Sequence, residues 1–181
     1  LHRQLRRRFF RPLGMDDTYY QPAHVPPADA AYGHWRSGTN YIDHTRGSRV
    51  IPFMSAATVA SSAGAIASSA RDLAVWARAL YGGEVLRPGS LAEMTTSLSE
   101  GTYGLGTDFA VFAGKRAVGH RGGLRGYESS MWYFPDEDVS LVLLSNQGNW
   151  GTDTPFSRIA RELFASTSMN SRRVDATIRP M

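Results

Sequence analysis

The 181-residue sequence has no cysteine. That excludes disulfides and thiolate metal sites, and leaves oxidising and reducing compartments equally open. It has one lysine, Lys115, so its positive charge is almost all arginine. No apolar run approaches the roughly 18 residues that a membrane-crossing helix needs. There is no internal repeat, no starting methionine and no signal-peptide pattern, and Leu1 already lies in a helical pattern. The chain is therefore expected to be cut at its front, and the missing signal says nothing about a parent protein. What is present, 42% hydrophobic and 20% charged residues, suits one globular domain able to bury a core.

The formal charge is +4, and Arg3, Arg6, Arg7, Arg8 and Arg11 crowd the start. Leu1, Leu5 and Phe9 recur every four residues among them, which reads as an apolar helix face with arginines solvating the other side. No recognition motif accompanies the charge, so a nucleic-acid partner is not expected, although an Arg-rich binder would show steeply salt-dependent DNA binding. Pro12-Leu13-Gly14-Met15 ends this helix. Residues 16–54 are rich in Pro and Gly with little periodicity, and their aromatics suit a packed loop walling a cleft. Ser69 can cap a helix, with Asp72 three places on to reach back, and Leu73, Trp76, Ala77 and Leu80 follow at helical spacing. Gly82-Gly83 stops it, and a short helix is expected over 89–97.

Strands come next. Residues 103–113 and 116–121 flank a hairpin-like Gly114-Lys115. Residues 127–134 and 139–145 flank the turn Pro135-Asp136-Glu137-Asp138 and should pair antiparallel. Thr154-Pro155 opens a last helix with the buried stripe Phe156, Ile159, Ala160 and Leu163, while 166–181 should fray as a tail or linker. Helices, then a strand meander, then a closing helix predict an α+β architecture, an antiparallel sheet flanked by helices.

The segment with most chemistry is Gly119-His120-Arg121-Gly122-Gly123-Leu124-Arg125-Gly126-Tyr127. Glycine at a strand end lets a ligand or another backbone approach, and free N–H groups on an edge can bind a developing oxyanion. His120 can donate, accept or carry charge near neutral pH. A plain glycine-rich hairpin with a capping histidine explains the same residues equally well. A dinucleotide fingerprint does not, because strand rather than helix follows. His24, His34 and His44 are spaced by ten, unlike helical zinc ligands, and read as loop residues. Asp136, Glu137 and Asp138 read as a solvated turn, and the four tryptophans as core or cleft wall.

His120-Arg121-Gly122 resembles the third motif (Lys or His, any residue, Gly) of serine β-lactamases, penicillin-binding proteins and related esterases and D-aminopeptidases. Pro12-Leu13-Gly14-Met15 with Thr18, the stretch from Ala63 to Ala74, Tyr103-Gly104-Leu105-Gly106, and the strand ending at Asn146 resemble further stretches of the class C-like branch, in family order. The resemblance implies a β-lactamase/transpeptidase-like fold incomplete on its N-terminal side, with residues 1–165 as the C-terminal part of the domain. It implies that His120 faces the cleft and polarises or protonates a leaving group. It places the Gly123 N–H as one of two oxyanion donors. Gly122 would keep the strand open, with Arg121, Tyr127 and the Asn146–Asn149 loop on the substrate side. It implies no metal or organic cofactor, a small-molecule or peptide substrate, and the missing N-terminal part of the same protein as partner. It favours a periplasmic or extracellular site while leaving the cytoplasm open.

The family's nucleophile lies in Ser-x-x-Lys, yet the residue three places before Lys115 is Phe112. The family's second motif, Tyr-x-Asn or Tyr-x-Ser, is read as absent too; in relatives both motifs precede the Pro-Leu-Gly-Met stretch, so both are expected upstream of residue 1. A serine is a poor nucleophile without an adjacent base. The expectation is an amide or ester hydrolase acting through an acyl-enzyme, of which this chain supplies the third motif but not the nucleophile. A non-catalytic binding or scaffolding relative that kept the fold is the competing reading.

Overall fold

The computed structural model describes residues 1–21, 30–38, 40–43, 60–96, 102–124, 126–148 and 151–175, with the backbone alone at 36–37, 40–43 and 166–175. Helix α1 (His2–Leu5) widens at once into turns bonded five residues apart, Arg11 N–H to the Arg6 carbonyl at 3.0 Å and Met15 N–H to that of Phe10 at 2.8 Å. The wider turn shifts the phase of the predicted stripe. Leu1 is left 66% exposed, while Phe9 reaches Trp76 edge-on, centroids 5.4 Å apart. Gly14, at φ +66°, takes the left-handed turn that stops the helix.

Strand β1 (Tyr19–Tyr20) follows, then β2 (His34–Ser37) and β3 (Asn40–Asp43), a hairpin turned at Gly38. The stretch read from sequence as irregular thus holds a hairpin. Short strands whose flanking residues are Pro- and Gly-rich leave too few alternations to register. Strand β4 (Ile66–Ala67) pairs with β1 and leads into helix α2 (Ala70–Tyr81) and the short α3 (Pro88–Met94).

The start of α2 corrects one expectation. Ser69 Oγ accepts the Asp72 N–H at 3.1 Å, as the spacing predicts. The Asp72 carboxylate does not reach back to complete the box. It accepts the Asp17 N–H at 2.9 Å and the Thr18 hydroxyl at 2.8 Å, and Asp72 is 4% exposed. The Pro-Leu-Gly-Met loop is thereby pinned to the helix. Asp72→Ala removes the acceptor of both bonds, though the Thr18 hydroxyl keeps its Ser68 partner and the Asp17 N–H can reach water. It should cost about 1–2 kcal/mol, read as a fall in urea midpoint, with Asp72→Asn recovering part. An unchanged midpoint in Asp72→Ala would show that the clamp is dispensable.

The main sheet comprises β5 (Asp108–Phe112), β6 (Lys115–Leu124), β7 (Tyr127–Phe134) and β8 (Val139–Ser145), antiparallel throughout and in chain order. Strand alternation gives it two apolar faces. Ala117, Trp132, Phe134, Leu141 and Leu143 meet Phe156, Ala160 and Phe164 of the closing helix α4 (Asp153–Asp175). Val118, Met131 and Tyr133 meet Ala77, Leu80 and Tyr81 of α2. The result is the expected α+β arrangement, a sheet with helices on both faces. Burial pushes the Tyr81 phenol pKa up.

Two local readings shift. The hairpin turn is Ala113-Gly114 rather than Gly114-Lys115, with both residues at positive φ (+51° and +77°). A two-residue turn of that kind matches the strand twist, and Ala113 bears an unfavourable conformation to supply it. In α4 the buried stripe is Phe156, Ala160 and Phe164, while Ile159 is 43% and Leu163 36% exposed. The sheet touches only one narrow line of the helix, so spacing by four is buried and spacing by three is not. The helix starts at Asp153, leaving Pro155 in its first turn, and runs to Asp175, past the point where the sequence suggests fraying. Strand β9 (Gln147–Gly148) leaves the end of β8 and pairs parallel with β2.

Candidate active site

The hairpin turn determines which main-chain groups of β6 are available. In a two-residue turn the Lys115 N–H bonds back to the Phe112 carbonyl, so Lys115 directs its main chain towards β5. Direction alternates along a strand, so Ala117, Gly119, Arg121 and Gly123 do the same. Strand β5 ends at Asp108, opposite Gly119. Beyond it, among the described residues, Arg121 and Gly123 aim their amides at an edge with no partner strand, while β7 holds the other side as far as Leu124. Residues 120–123 are all exposed.

His120 stands on the α2 face of this edge. Its Nε2 lies 2.9 Å from Tyr103 Oη, the two rings meet edge to face at 5.6 Å, and its Nδ1 contacts the Arg121 carbonyl. Gly122 faces Ser129 of β7, and a side chain at 122 would strike Ser129 Oγ. At Gly123 a side chain would meet nothing within 4 Å, so what matters there is the amide, not the missing Cβ. A side chain at 122 is therefore accommodated only if the Ser129 hydroxyl rotates away, and at 123 there is space without any such shift.

The Arg121 side chain turns to the opposite face. It pairs with Asp108 at 3.0 Å and Asp153 at 3.0 Å, and these partners raise its pKa further. It braces the end of β5 to the start of α4, so the Arg121 side chain is committed to these two carboxylates. Tyr127 donates to the Ala31 carbonyl at 2.9 Å and Asn146 to that of Tyr32 at 2.9 Å. Both fasten the 30–37 segment beside the end of β6. Asn149, His24, His44 and Trp150 lie outside the described residues. His34 is in β2, and among the described residues no cluster of three metal-ligating side chains occurs.

An open groove of about 340 Å³ runs past Gly122, Gly123 and Ser129 to Thr152 at the start of α4. Glu128 lines it but accepts the Gly151 and Thr152 N–H groups at 2.9 and 3.1 Å, so its charge caps the helix. A smaller cavity of about 150 Å³ beside Arg6, Phe10 and Met15 contains none of the expected site residues.

Lys115 cannot serve this site. It is five residues from His120, roughly 16 Å along an extended strand. Its hydrogen bond to Glu137 (2.7 Å) raises its pKa, whereas an amine base needs it lowered. Tyr127-Glu128-Ser129 does spell Tyr-x-Ser, but it follows the third motif and its tyrosine is committed to Ala31. The residues that sequence reading left without a role are Tyr103 and Ser129. Tyr103 was visible only as the first letter of Tyr-Gly-Leu-Gly, and Ser129 only through the β6–β7 register.

A sheet between helix layers, with an imidazole and a glycine-bordered amide edge at its rim, has the architecture of the serine β-lactamases and penicillin-binding proteins. The chain belongs to the beta-lactamase family, whose family model matches residues 1–165. It is similar to D-amino acid amidase from Ochrobactrum anthropi, with 26% identity and a TM-score of 0.74, covering 94% of this chain and 51% of that one. It is 36% identical over 70 residues to a D-aminopeptidase of Brucella anthropi, covering 39% of this chain and 14% of that enzyme. It is 28% identical over 153 residues to an unguisins hydrolase of Aspergillus campestris, covering 78% of this chain and 28% of that one. The chain thus spans about half of the amidase and less of the two curated relatives. Among the described residues no helix is long and apolar enough to cross a membrane.

Proposed function

We propose that the complete protein hydrolyses an amide or ester through an acyl-enzyme, with this chain forming the oxyanion edge and one side of the cleft. The observation that carries the reading is the stretch 120–124, where β5 has ended and the amides of Arg121 and Gly123 face open space beside an exposed imidazole. Preorganised amides of this kind stabilise the oxyanion that forms when a hydroxyl adds to a carbonyl. The Gly123 N–H is one of the two donors, and His120 supports departure of the leaving group. Gly122 keeps the edge accessible, and Tyr127 and Asn146 act by holding the adjoining wall.

The nucleophile lies ahead of Leu1 in a Ser-x-x-Lys segment, because a serine needs an adjacent base and Lys115 is out of reach. The names of the relatives favour an amide of a D-amino acid or a D-amino-acid peptide as substrate. The test is to read the coding sequence upstream of residue 1 and to assay both products. The complete protein should release ammonia or amine from D-amino acid amides, while the 181-residue chain shows only the buffer rate. An upstream sequence without Ser-x-x-Lys, together with an inert complete protein, would replace this reading with that of a non-catalytic relative. Turnover by the short chain alone would also overturn it.

A further inference from the structure

Tyr103 reaches His120 from outside the strand that carries it, across 17 residues of sequence. Its ring is 40% exposed, so burial alone does not account for its position. The two contacts of the imidazole together fix its hydrogens. The Arg121 carbonyl can only accept, so Nδ1 carries the proton. In the neutral ring Nε2 is then a lone pair, and the Tyr103 hydroxyl donates to it across 2.9 Å. Free imidazole turns about its bonds and exchanges tautomers; here both nitrogens are held.

We infer that Tyr103 is a catalytic residue of this site, which fixes the ring orientation and tautomer of His120 and relays its proton to the leaving group. The inference rests on the proposed hydrolytic role of that site. When Nε2 takes a proton from solvent, it must become the donor to Tyr103 Oη, because the Arg121 carbonyl keeps Nδ1–H in place. The phenolic hydrogen is then released to turn outwards. As the carbon–nitrogen bond of a tetrahedral intermediate breaks, its electron pair stays on the leaving nitrogen. That nitrogen takes the hydrogen from Oη while Oη takes the one from Nε2. The imidazole ends neutral, the phenol is unchanged, and no charge stays on either ring. A hydroxyl able both to give and to accept is required; a phenylalanine at 103 keeps the edge-to-face contact and removes only that ability.

The experiment has two arms. Nitrogen-15 spectra of the complete protein labelled at histidine, with the His120 signals assigned by their loss in His120→Ala, should show His120 with hydrogen on Nδ1 and Nε2 as an acceptor. Tyr103→Phe should move the Nε2 signal towards that of an unbonded lone pair while leaving Nδ1 and the urea midpoint in place. In the complete protein Tyr103→Phe should lower kcat by about tenfold with KM unchanged, the weight of one hydrogen bond to a reacting group. A wild-type ring with hydrogen on Nε2, or a Nε2 signal indifferent to Tyr103→Phe, would overturn the inference even if the complete protein were an active hydrolase. A Tyr103-dependent Nε2 signal in a complete protein that turns nothing over would instead overturn the hydrolytic reading and leave the pairing standing.

Discussion

His120→Ala in the complete protein is expected to slow acylation by about 10²- to 10⁴-fold, the usual weight of a positioned acid–base group. His120 is exposed on β6, where its ring meets Tyr103 and the Arg121 carbonyl. Its removal opens no cavity, so the loss should appear in kcat with little change in urea midpoint. Stopped-flow acylation with a chromogenic ester separates the two effects. Substrates with good leaving groups should suffer less than amides, because they need less help from a proton donor. A wild-type acylation rate on an amide substrate would remove His120 from the mechanism.

A second large effect is expected at Gly123, where the working group is an amide. Proline there deletes the N–H without removing a ladder bond, because that N–H faces the side on which β5 has already ended. An added Cβ there meets nothing within 4 Å and the residue is not in a left-handed conformation, and an unchanged urea midpoint will show that the proline ring is accommodated. The complete protein carrying Gly123→Pro should lose about 10²- to 10³-fold in kcat, as other enzymes do when one oxyanion donor is removed. Gly123→Ala keeps the donor and should stay within a few-fold of wild type, as judged against the handful of tenths of a kcal/mol that a strand methyl is worth. Equal rates for the proline and alanine variants would show that this amide is no oxyanion donor.

The two variants also separate what could be read in the string of residues from what could not. The glycine-bordered strand, His120 within it and the antiparallel pairing across Pro135–Asp138 were legible, because alternation and turn chemistry are local. The openness of the edge was not. It depends on where β5 stops, and no residue of β6 records the length of its neighbour. The one-residue shift of the hairpin turn shows the same limit. Lys115 read as turn would have reversed which amides of β6 face outwards.

Side chains diverged from expectation where a long-range partner outbid a local one. Asp72 was placed to close a capping box three residues away, yet it binds Asp17 and Thr18, 55 and 54 positions back. Arg121 sits beside His120 in sequence but points through the sheet to Asp108 and Asp153, since neighbours on a strand face opposite ways.

The sequence by itself determined the main helices, the strands of the main sheet, the glycine strand and the family stretches in order. These follow from periods of two and near four and from turn residues, each confined to a few neighbours. Only the tertiary structure decided that β5 stops opposite Gly119, so that among the described residues Arg121 and Gly123 have no partner strand on that side, that Tyr103 meets the imidazole and that Lys115 is bonded to Glu137. Those facts are distances between residues far apart in the chain, and packing sets them.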